Sequence, residues 1–293
     1  MTINQIISYY SAKLKKTSSS PILDIELLLT KTFNKPKEFL FAYPEKNLTA
    51  LQFSKFKKLF NRRSKGEPIA YILGHKEFFK LDFKVNKNVL IPRPETEILV
   101  EEIIKYHKSA IRNQQSTIEI IEIGVGSGAI IIALAKNIKK TGFIATDISA
   151  KALNIAKQNA KIHKTKIKFL KGNLLQPLIK IHNSYLIIQN SIIVANLPYL
   201  DKKEENLLPS TNTLGLKFEP KIAYEGGPDG LKYFRLLFAQ IQKYNLKPKG
   251  IFLEIGHKQA GKIKKLAGQI LPKYKFKVTK DLCGFDRLII ITK

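Results

Sequence analysis

The chain has 293 residues, 44% of them apolar, a formal net charge of +28 and one cysteine, Cys283. That length holds one large domain or two smaller ones. A single cysteine excludes an internal disulfide and suits a reducing cytoplasm. The longest apolar runs, such as Leu288-Ile289-Ile290-Ile291, fall far short of the ~20 residues of a membrane helix. The opening Met-Thr-Ile-Asn-Gln shows no basic segment followed by an apolar one, so no signal peptide is expected. The charge invites a nucleic-acid reading. However, only six of the 51 basic residues are Arg, and sites that read phosphates and bases favour Arg. Lys, Ile and Asn are abundant along the whole chain, as a coding bias would make them. The excess therefore reads first as a solvated Lys surface, with a partner that is, or sits on, RNA as the alternative.

The first part reads helical. Ile3, Ile6, Ile7, Tyr10 and Leu14 repeat at helical spacing. Pro21 opens a second helix at its favoured first-turn position. Pro36 and Pro44 punctuate a short segment, and a helix follows over 49–65, capped by Gly66. Its inner face is expected to carry Leu51, Phe56, Leu59 and Phe60. Its outer face carries Lys55, Lys57, Lys58, Arg62, Arg63 and Lys65. That face is either solvated or a docking surface for an acidic or RNA-bound partner. A β-hairpin follows, with Asn86-Lys87-Asn88 as its turn. Ile91-Pro92-Arg93-Pro94-Glu95 is a stiff linker, and Pro94 starts a helix with acidic Glu95 and Glu97 in its first turn.

From Thr117 strands and helices alternate. Strands are expected near 118–123, 142–146, 166–170, 190–195 and 250–255, and helices near 128–140, 149–162, 203–208, 229–245 and 258–270. This alternation means βαβ units and a mostly parallel sheet. Two final strands, around 276–279 and 288–292, have no helix between them and read as an antiparallel close. The domain layout is thus 1–74 helical, 75–92 β-hairpin linker and 93–293 an α/β catalytic domain.

Two stretches carry chemistry. Ile120-Ile121-Glu122-Ile123-Gly124-Val125-Gly126-Ser127-Gly128-Ala129 is strand, Gly-rich turn and helix start. Asp147 ends the next strand, where a carboxylate can take both hydroxyls of a ribose. Gly124, Gly126 and Ala129 also satisfy the dinucleotide pattern G-x-G-x-x-A, so an NAD enzyme is a rival. The acid Glu122 before the loop is awkward beside a pyrophosphate and suits the amino group of a methionine moiety, which favours S-adenosylmethionine. The second stretch is Ile192-Ile193-Val194-Ala195, a buried strand ending in Asn196-Leu197-Pro198-Tyr199. An amide oxygen, a backbone carbonyl and a ring at one sheet edge can hold a flat nitrogen-bearing group. The five histidines (75, 107, 163, 182, 257) show no metal-ligand spacing, and no nucleophile–base pair is evident. No metal is expected, and Cys283 reads as a packing residue. Glu254 and Arg287 sit at strand ends as candidate ion-pair members.

With these motifs in place the chain resembles the HemK/PrmC family of protein-glutamine N5-methyltransferases, which modify class I peptide chain release factors. The likeness spans nearly the whole chain. It includes Gly66 to Gly74, Leu90-Ile91-Pro92-Arg93-Pro94-Glu95-Thr96-Glu97, the E-x-G-x-G-x-G loop and Asn196 to Tyr199. Phe218-Glu219-Pro220, Gly226-Gly227-Pro228-Asp229-Gly230-Leu231 and Glu254-Ile255-Gly256 continue it. The resemblance implies a class I, Rossmann-like methyltransferase with a mostly parallel seven-stranded sheet behind an N-terminal helical substrate-recognition domain. It implies that Glu122, Gly124, Val125, Gly126, Ser127 and Gly128 hold the methionine end of S-adenosylmethionine, with S-adenosylhomocysteine as product. Asp147 would take the ribose, and Asn173 and Leu174 the adenine, although the family's usual acid is replaced by Asn173. Asn196 is expected at the cofactor as well as the substrate. Asn196, Leu197, Pro198 and Tyr199 would hold the target glutamine, with Asn196, Pro198 and Tyr199 the catalytic set and the Tyr199 ring on the amide plane. Leu197 replaces the family's usual Pro, and Asn-Leu-Pro-Tyr also resembles the motif of rRNA adenine dimethyltransferases. An N6-adenine methyltransferase acting on RNA or DNA is therefore the alternative, and a non-catalytic module of the same fold is a third reading. A cytoplasmic monomer that needs neither nucleic acid nor membrane is expected.

Overall fold

The computed structural model describes residues 1–112, 118–180, 184–201 and 215–293. The helix expected near 203–208 and the side chain of His182 lie outside the described residues. The chain forms two compact units. The first holds Met1–His75 with residues 215–219, and the second holds the described residues from Lys76 to 201 and Pro220–Lys293.

In the first unit, helices α1 (Ile3–Leu14), α2 (Pro21–Phe33), α3 (Glu38–Ala42), α4 (Ala50–Ser64) and α5 (Ile69–Leu73) surround one core. Thr2 and Thr49 each close a reciprocal capping box, with Gln5 and Gln52 respectively, which satisfies backbone N–H groups at both helix starts. Ile3, Ile6, Leu14, Ile25, Leu28, Leu29 and Phe56 are wholly buried. Tyr10 sets its ring edge-on to Phe56 and Phe60 at centroid distances of 5.0 and 4.7 Å. Leu51 is not on this face. It sits in the first turn of α4 and is 81% exposed.

The basic face of α4 is partly structural. The Arg63 guanidinium donates to Asp24 on α2 at 2.6 Å and to the Glu67 carbonyl at 3.2 Å. Arg62 forks onto Glu67 at 2.6 and 2.8 Å. Lys55 donates to the Thr32 carbonyl at 3.1 Å. Three of the six cations expected on the outer face therefore bind the unit to itself.

In the second unit, β1 (His75–Phe78) and β2 (Leu81–Lys84) form a two-stranded sheet. The hairpin turn is Phe79-Lys80, both in the left-handed region with φ of 50° and 60°, the pairing that matches strand twist in a two-residue turn. Asn86-Lys87-Asn88 instead turns the chain after β2. The Asn86 carbonyl accepts from Val89 N, and its side chain accepts from Asn88 N. Pro94–Thr96 make one tight 3₁₀ turn before α6 (Glu97–Arg112).

The main sheet comprises β3 (Glu119–Ile123), β4 (Phe143–Asp147), β5 (Lys168–Lys171), β6 (Ser191–Ala195), β7 (Gly250–Glu254), β8 (Lys275–Lys280) and β9 (Asp286–Thr292). Its order is β5-β4-β3-β6-β7-β9-β8. The first five are parallel, and β9 pairs antiparallel with both β7 and β8. Helices α7 (Ala129–Asn137), α8 (Ala150–Ile162), α9 (Gln176–Ile179), α10 (Ser184–Gln189), α11 (Lys232–Lys243) and α12 (Ala260–Ile270) complete the unit. The sheet is apolar on both sides, as covered parallel strands must be. Ile120, Ile192, Val194, Phe252 and Ile290 belong to one core, while Ile121, Ile193, Leu253 and Ile289 belong to the other. The edge strand β8 carries Lys275, Lys277 and Lys280, which blunts it against further pairing. Cys283, expected to pack, is exposed in the turn between β8 and β9, where Asp281 accepts from its backbone N–H. Among the described residues no helix is long and apolar enough to cross a membrane.

Candidate active site

The chain leaves β3 on one side for β4 and β5, then crosses back to lay β6 on the other side. Beside such a reversal the carboxyl ends of two parallel strands diverge and open a crevice. Ile123 pairs with Ala195 across it, so the Gly-rich loop after β3 and Asn196-Leu197-Pro198-Tyr199 after β6 start side by side. A cleft there is lined by Glu122, Gly124, Val125, Gly126, Ser127, Asp147, Asn173, Leu174, Asn196, Leu197 and Pro198, with Phe78, Arg93, Thr96 and Tyr233 also at its wall.

Gly124, Gly126 and Gly128 all adopt positive φ. A Cβ on Gly126 would meet nothing within 4 Å, so the loop presents bare backbone to open space. Val125 and Gly124 donate to the Thr146 carbonyl at 3.0 and 2.9 Å. Asn159, wholly buried on α8, donates to the Ser127 carbonyl at 2.8 Å and pairs both ways with the backbone of Lys84. Gly128 does not line the cleft. A Cβ there would press on Ile132 and Ala156 at 3.0 and 3.3 Å, so its role is the close approach of α7 to α8.

Two carboxylates flank the loop. Glu122 is 1% exposed, and Oε2 accepts from the Ile131 N–H at 3.0 Å, capping the first turn of α7. Burial pushes its carboxyl well above the usual range, the Ile131 N–H opposes this, and the nearby Asp147 charge adds to it. Asp147 accepts from Gly126 N at 3.0 Å and Ser149 N at 2.8 Å. Burial raises it too, against those backbone donors. Leu174, with φ of 50°, turns its carbonyl to accept from the Thr146 hydroxyl at 3.0 Å.

The β6 turn is held by side chains from elsewhere. Asn196 Nδ2 donates to Thr96 Oγ1 at 3.3 Å, and that hydroxyl donates to Glu254 Oε2 at 2.6 Å. Glu254 Oε1 accepts from the Tyr199 hydroxyl at 3.2 Å. Burial raises both the Tyr199 phenol and the Glu254 carboxyl, and the Arg287 guanidinium, itself held by Asp281 at 3.0 Å, counters each. Gln259 donates to the Tyr199 and Gly230 carbonyls at 2.9 and 3.3 Å and accepts from Gly256 N at 2.9 Å. A Cβ on Gly226 would lie 2.7 Å from the Tyr199 backbone, and one on Gly230 would collide with the Tyr199 carbonyl. The Gly-Gly-Pro-Asp-Gly block is therefore a seat for the turn. Tyr199 itself is not among the lining residues; its hydroxyl donates to Glu254 and its carbonyl accepts from Gln259. Thr96, Asn159 and Gln259 were not singled out from sequence. Their only signal was membership of the Pro-Arg-Pro-Glu-Thr-Glu block for Thr96.

These groups suit a cationic amino acid joined to a nucleoside. A buried acid lies at one end of a bare-backbone loop, and a second acid lies beside it at the end of β4. Among the described residues no group of three or more His, Cys, Asp or Glu is placed to hold a metal ion.

Comparison with known proteins shows the family and the fold. Residues 5–74 match the PrmC N-terminal domain, and residues 120–204 match a methyltransferase domain. The N-terminal domain of human METTL16, crystallised in complex with SAH, shares the fold at 17% identity and a TM-score of 0.52, over 90% of this chain and 93% of that one. The bifunctional methyltransferase of Rickettsia bellii is 35% identical over 94% of this chain but only 51% of its own length. The release factor glutamine methyltransferase of Koribacter versatilis is 36% identical over 92% of this chain and 91% of that protein. That of Coxiella burnetii is 37% identical over 99% of this chain and 98% of that protein. A likeness of that extent, end to end on both chains, makes this protein a member of the release factor glutamine methyltransferase family.

Proposed function

We propose that this enzyme transfers a methyl group from S-adenosylmethionine to the side-chain amide nitrogen, N5, of the glutamine in the Gly-Gly-Gln motif of class I peptide chain release factors. The observation that carries the reading is the meeting of the Glu122-to-Ser127 segment and the Asn196 turn in one cleft, within a chain matched end to end by release factor glutamine methyltransferases. When bound, the cofactor supplies an electrophilic methyl group on a sulfonium and leaves as S-adenosylhomocysteine. Glu122 and the backbone of Gly124 to Ser127 would hold its methionine end. Asp147 would take the ribose hydroxyls, and Asn173 and Leu174 would border the adenine.

An amide nitrogen is a poor nucleophile because its lone pair is delocalised into the carbonyl. Asn196 Oδ1 and the Leu197 carbonyl would accept its two N–H groups. They would aim the nitrogen at the methyl carbon and favour the positive charge that develops there. Leu197 serves as well as Pro in this, since its side chain is buried in the core and only its carbonyl is used. Pro198 fixes the direction of that carbonyl. Tyr199, outside the lining, anchors the turn rather than stacking on the amide. The N-terminal helical domain, residues 1–74, is assigned to recognition of the release factor, and the cytoplasm is where such a partner is met.

The test offers labelled S-adenosylmethionine with a release factor and with deproteinised ribosomal RNA in parallel. Label is expected in the release factor at its Gly-Gly-Gln loop, and lost with Asn196→Ala. Label in RNA alone would replace this reading with the N6-adenine alternative.

A further inference from the structure

The amide of Asn196 can face the cleft in two ways, and only one is useful. With Oδ1 outward it accepts from a substrate N–H; with Nδ2 outward it sets donor against donor. The two orientations have nearly the same shape, so packing does not choose between them. A hydrogen-bond chain behind the turn does. Glu254 is 3% exposed at the end of β7, next to β6, and Arg287 faces it. As a carboxylate it can only accept. It takes the single hydroxyl proton of Thr96 at 2.6 Å and the hydroxyl proton of Tyr199 at 3.2 Å. Burial opposes the carboxylate form of Glu254, but the Thr96 hydroxyl and the Arg287 charge favour it; with its proton so committed, Thr96 Oγ1 has only lone pairs left for Asn196, and it meets Nδ2 at 3.3 Å. A reversed amide would oppose oxygen to oxygen at that point.

We infer that Thr96 and Glu254 are positioning residues that fix the polarity of the Asn196 amide, so that its oxygen and not its nitrogen meets the glutamine amide. The inference rests on the reading that Asn196 holds that amide. It also gives a chemical reason for threonine in the Pro-Arg-Pro-Glu-Thr-Glu block: the site needs a hydroxyl that donates one way and accepts the other.

The test compares the full-length enzyme with Thr96→Val, Thr96→Ser and Glu254→Gln. It reads kcat and KM for a release factor, and cofactor Kd by calorimetry. Valine keeps the shape and removes the hydroxyl; serine restores it. Thr96→Val is expected to lower kcat about thirtyfold, roughly 2 kcal/mol in the barrier, with cofactor Kd within twofold. Thr96→Ser is expected to recover kcat to within threefold of the parent. Glu254→Gln, which can accept from only one of the two hydroxyls, is expected to lower kcat about tenfold. A Thr96→Val enzyme within threefold of the parent overturns the inference, as does a serine variant as slow as the valine one. A second readout does not depend on turnover. In protein labelled with ¹⁵N at asparagine, the Asn196 amide signals are those lost in Asn196→Ala. Their proton exchange is expected to quicken at least tenfold in Thr96→Val, and unchanged exchange overturns the inference. If the parent enzyme transfers no label to any release factor, the proposed function fails, and the exchange measurement still judges the polarity of Asn196.

Discussion

The loop after β3 and the turn after β6 leave neighbouring strands at the same level, yet they are built in opposite ways. The first is a backbone device. Its glycines take positive φ, and the N–H groups of Gly124, Val125 and Gly126 go to Thr146 and Asp147. The second is a side-chain device. Asn196 and Tyr199 are held by Thr96, Glu254, Gln259 and Arg287, which arrive from α6's entry turn, β7, the start of α12 and β9. A local backbone motif can be shaped by a few adjacent residues. A polar side chain with a required orientation needs partners from several directions, and only the tertiary fold can bring them.

The contrast can be broken most severely at Asn196. Asn196→Ala should lower kcat by about 10²–10³, the usual cost of removing a group aimed at developing charge, while cofactor affinity falls less than threefold; single-turnover methyl transfer checks this. Gly230→Ala comes next. It combines a φ of 72° with a collision against the Tyr199 carbonyl, so a stability loss of about 2–3 kcal/mol is expected, seen as a lower midpoint in thermal unfolding. Glu122→Gln tests the other half. Burial holds the Glu122 carboxyl above its ordinary value, and a bound ammonium would pull it down. Cofactor binding should therefore release a proton and strengthen as pH rises through the window above the ordinary carboxylate value. By the same linkage, the unliganded fold loses the stability of the protonated acid as pH rises through that window. In the variant, affinity should fall about tenfold and become flat with pH; calorimetry in buffers of different ionisation enthalpy measures both. The smallest effect on turnover is expected at Leu197. Leu197→Ala removes a buried side chain but keeps the carbonyl, so kcat should stay within threefold even as the unfolding midpoint drops. A large kcat loss would move Leu197 from the backbone side of the contrast to the side-chain side.

The same contrast explains what could be read from the sequence. The continuous apolar runs of β6, β7 and β9 announce buried strands, and the alternation of strands with helices announces the sheet. The Gly-rich loop and the Asn-Leu-Pro-Tyr turn were visible because each lies within a few consecutive residues. The hairpin turn was misplaced because Phe79-Lys80 is a poor turn sequence forced into left-handed geometry, whereas Asn86-Asn88 carries the usual turn residues. The short helices α9 and α10 are not legible in the sequence, because four to six residues show no helical period. Thr96 and Glu254 stand 158 positions apart, and nothing local in either segment marks the pairing. The sequence shows Tyr199 as a ring within a motif, while its hydroxyl partner Glu254 lies 55 positions away and carries no local mark.

The arginines of this lysine-dominated chain record something the composition alone hides. Arg62, Arg63, Arg235 and Arg287 each engage two guanidinium nitrogens, on Glu67, on Asp24 with the Glu67 carbonyl, on Asp229, and on Asp281. An ammonium offers a point charge and cannot reproduce a planar fork. The partners of these four arginines therefore take a shape and not only a positive charge. Four places in this chain thus call for a fork and not a point charge, and one of them, Arg287, stands beside Tyr199 and Glu254, where its charge counters the burial of both.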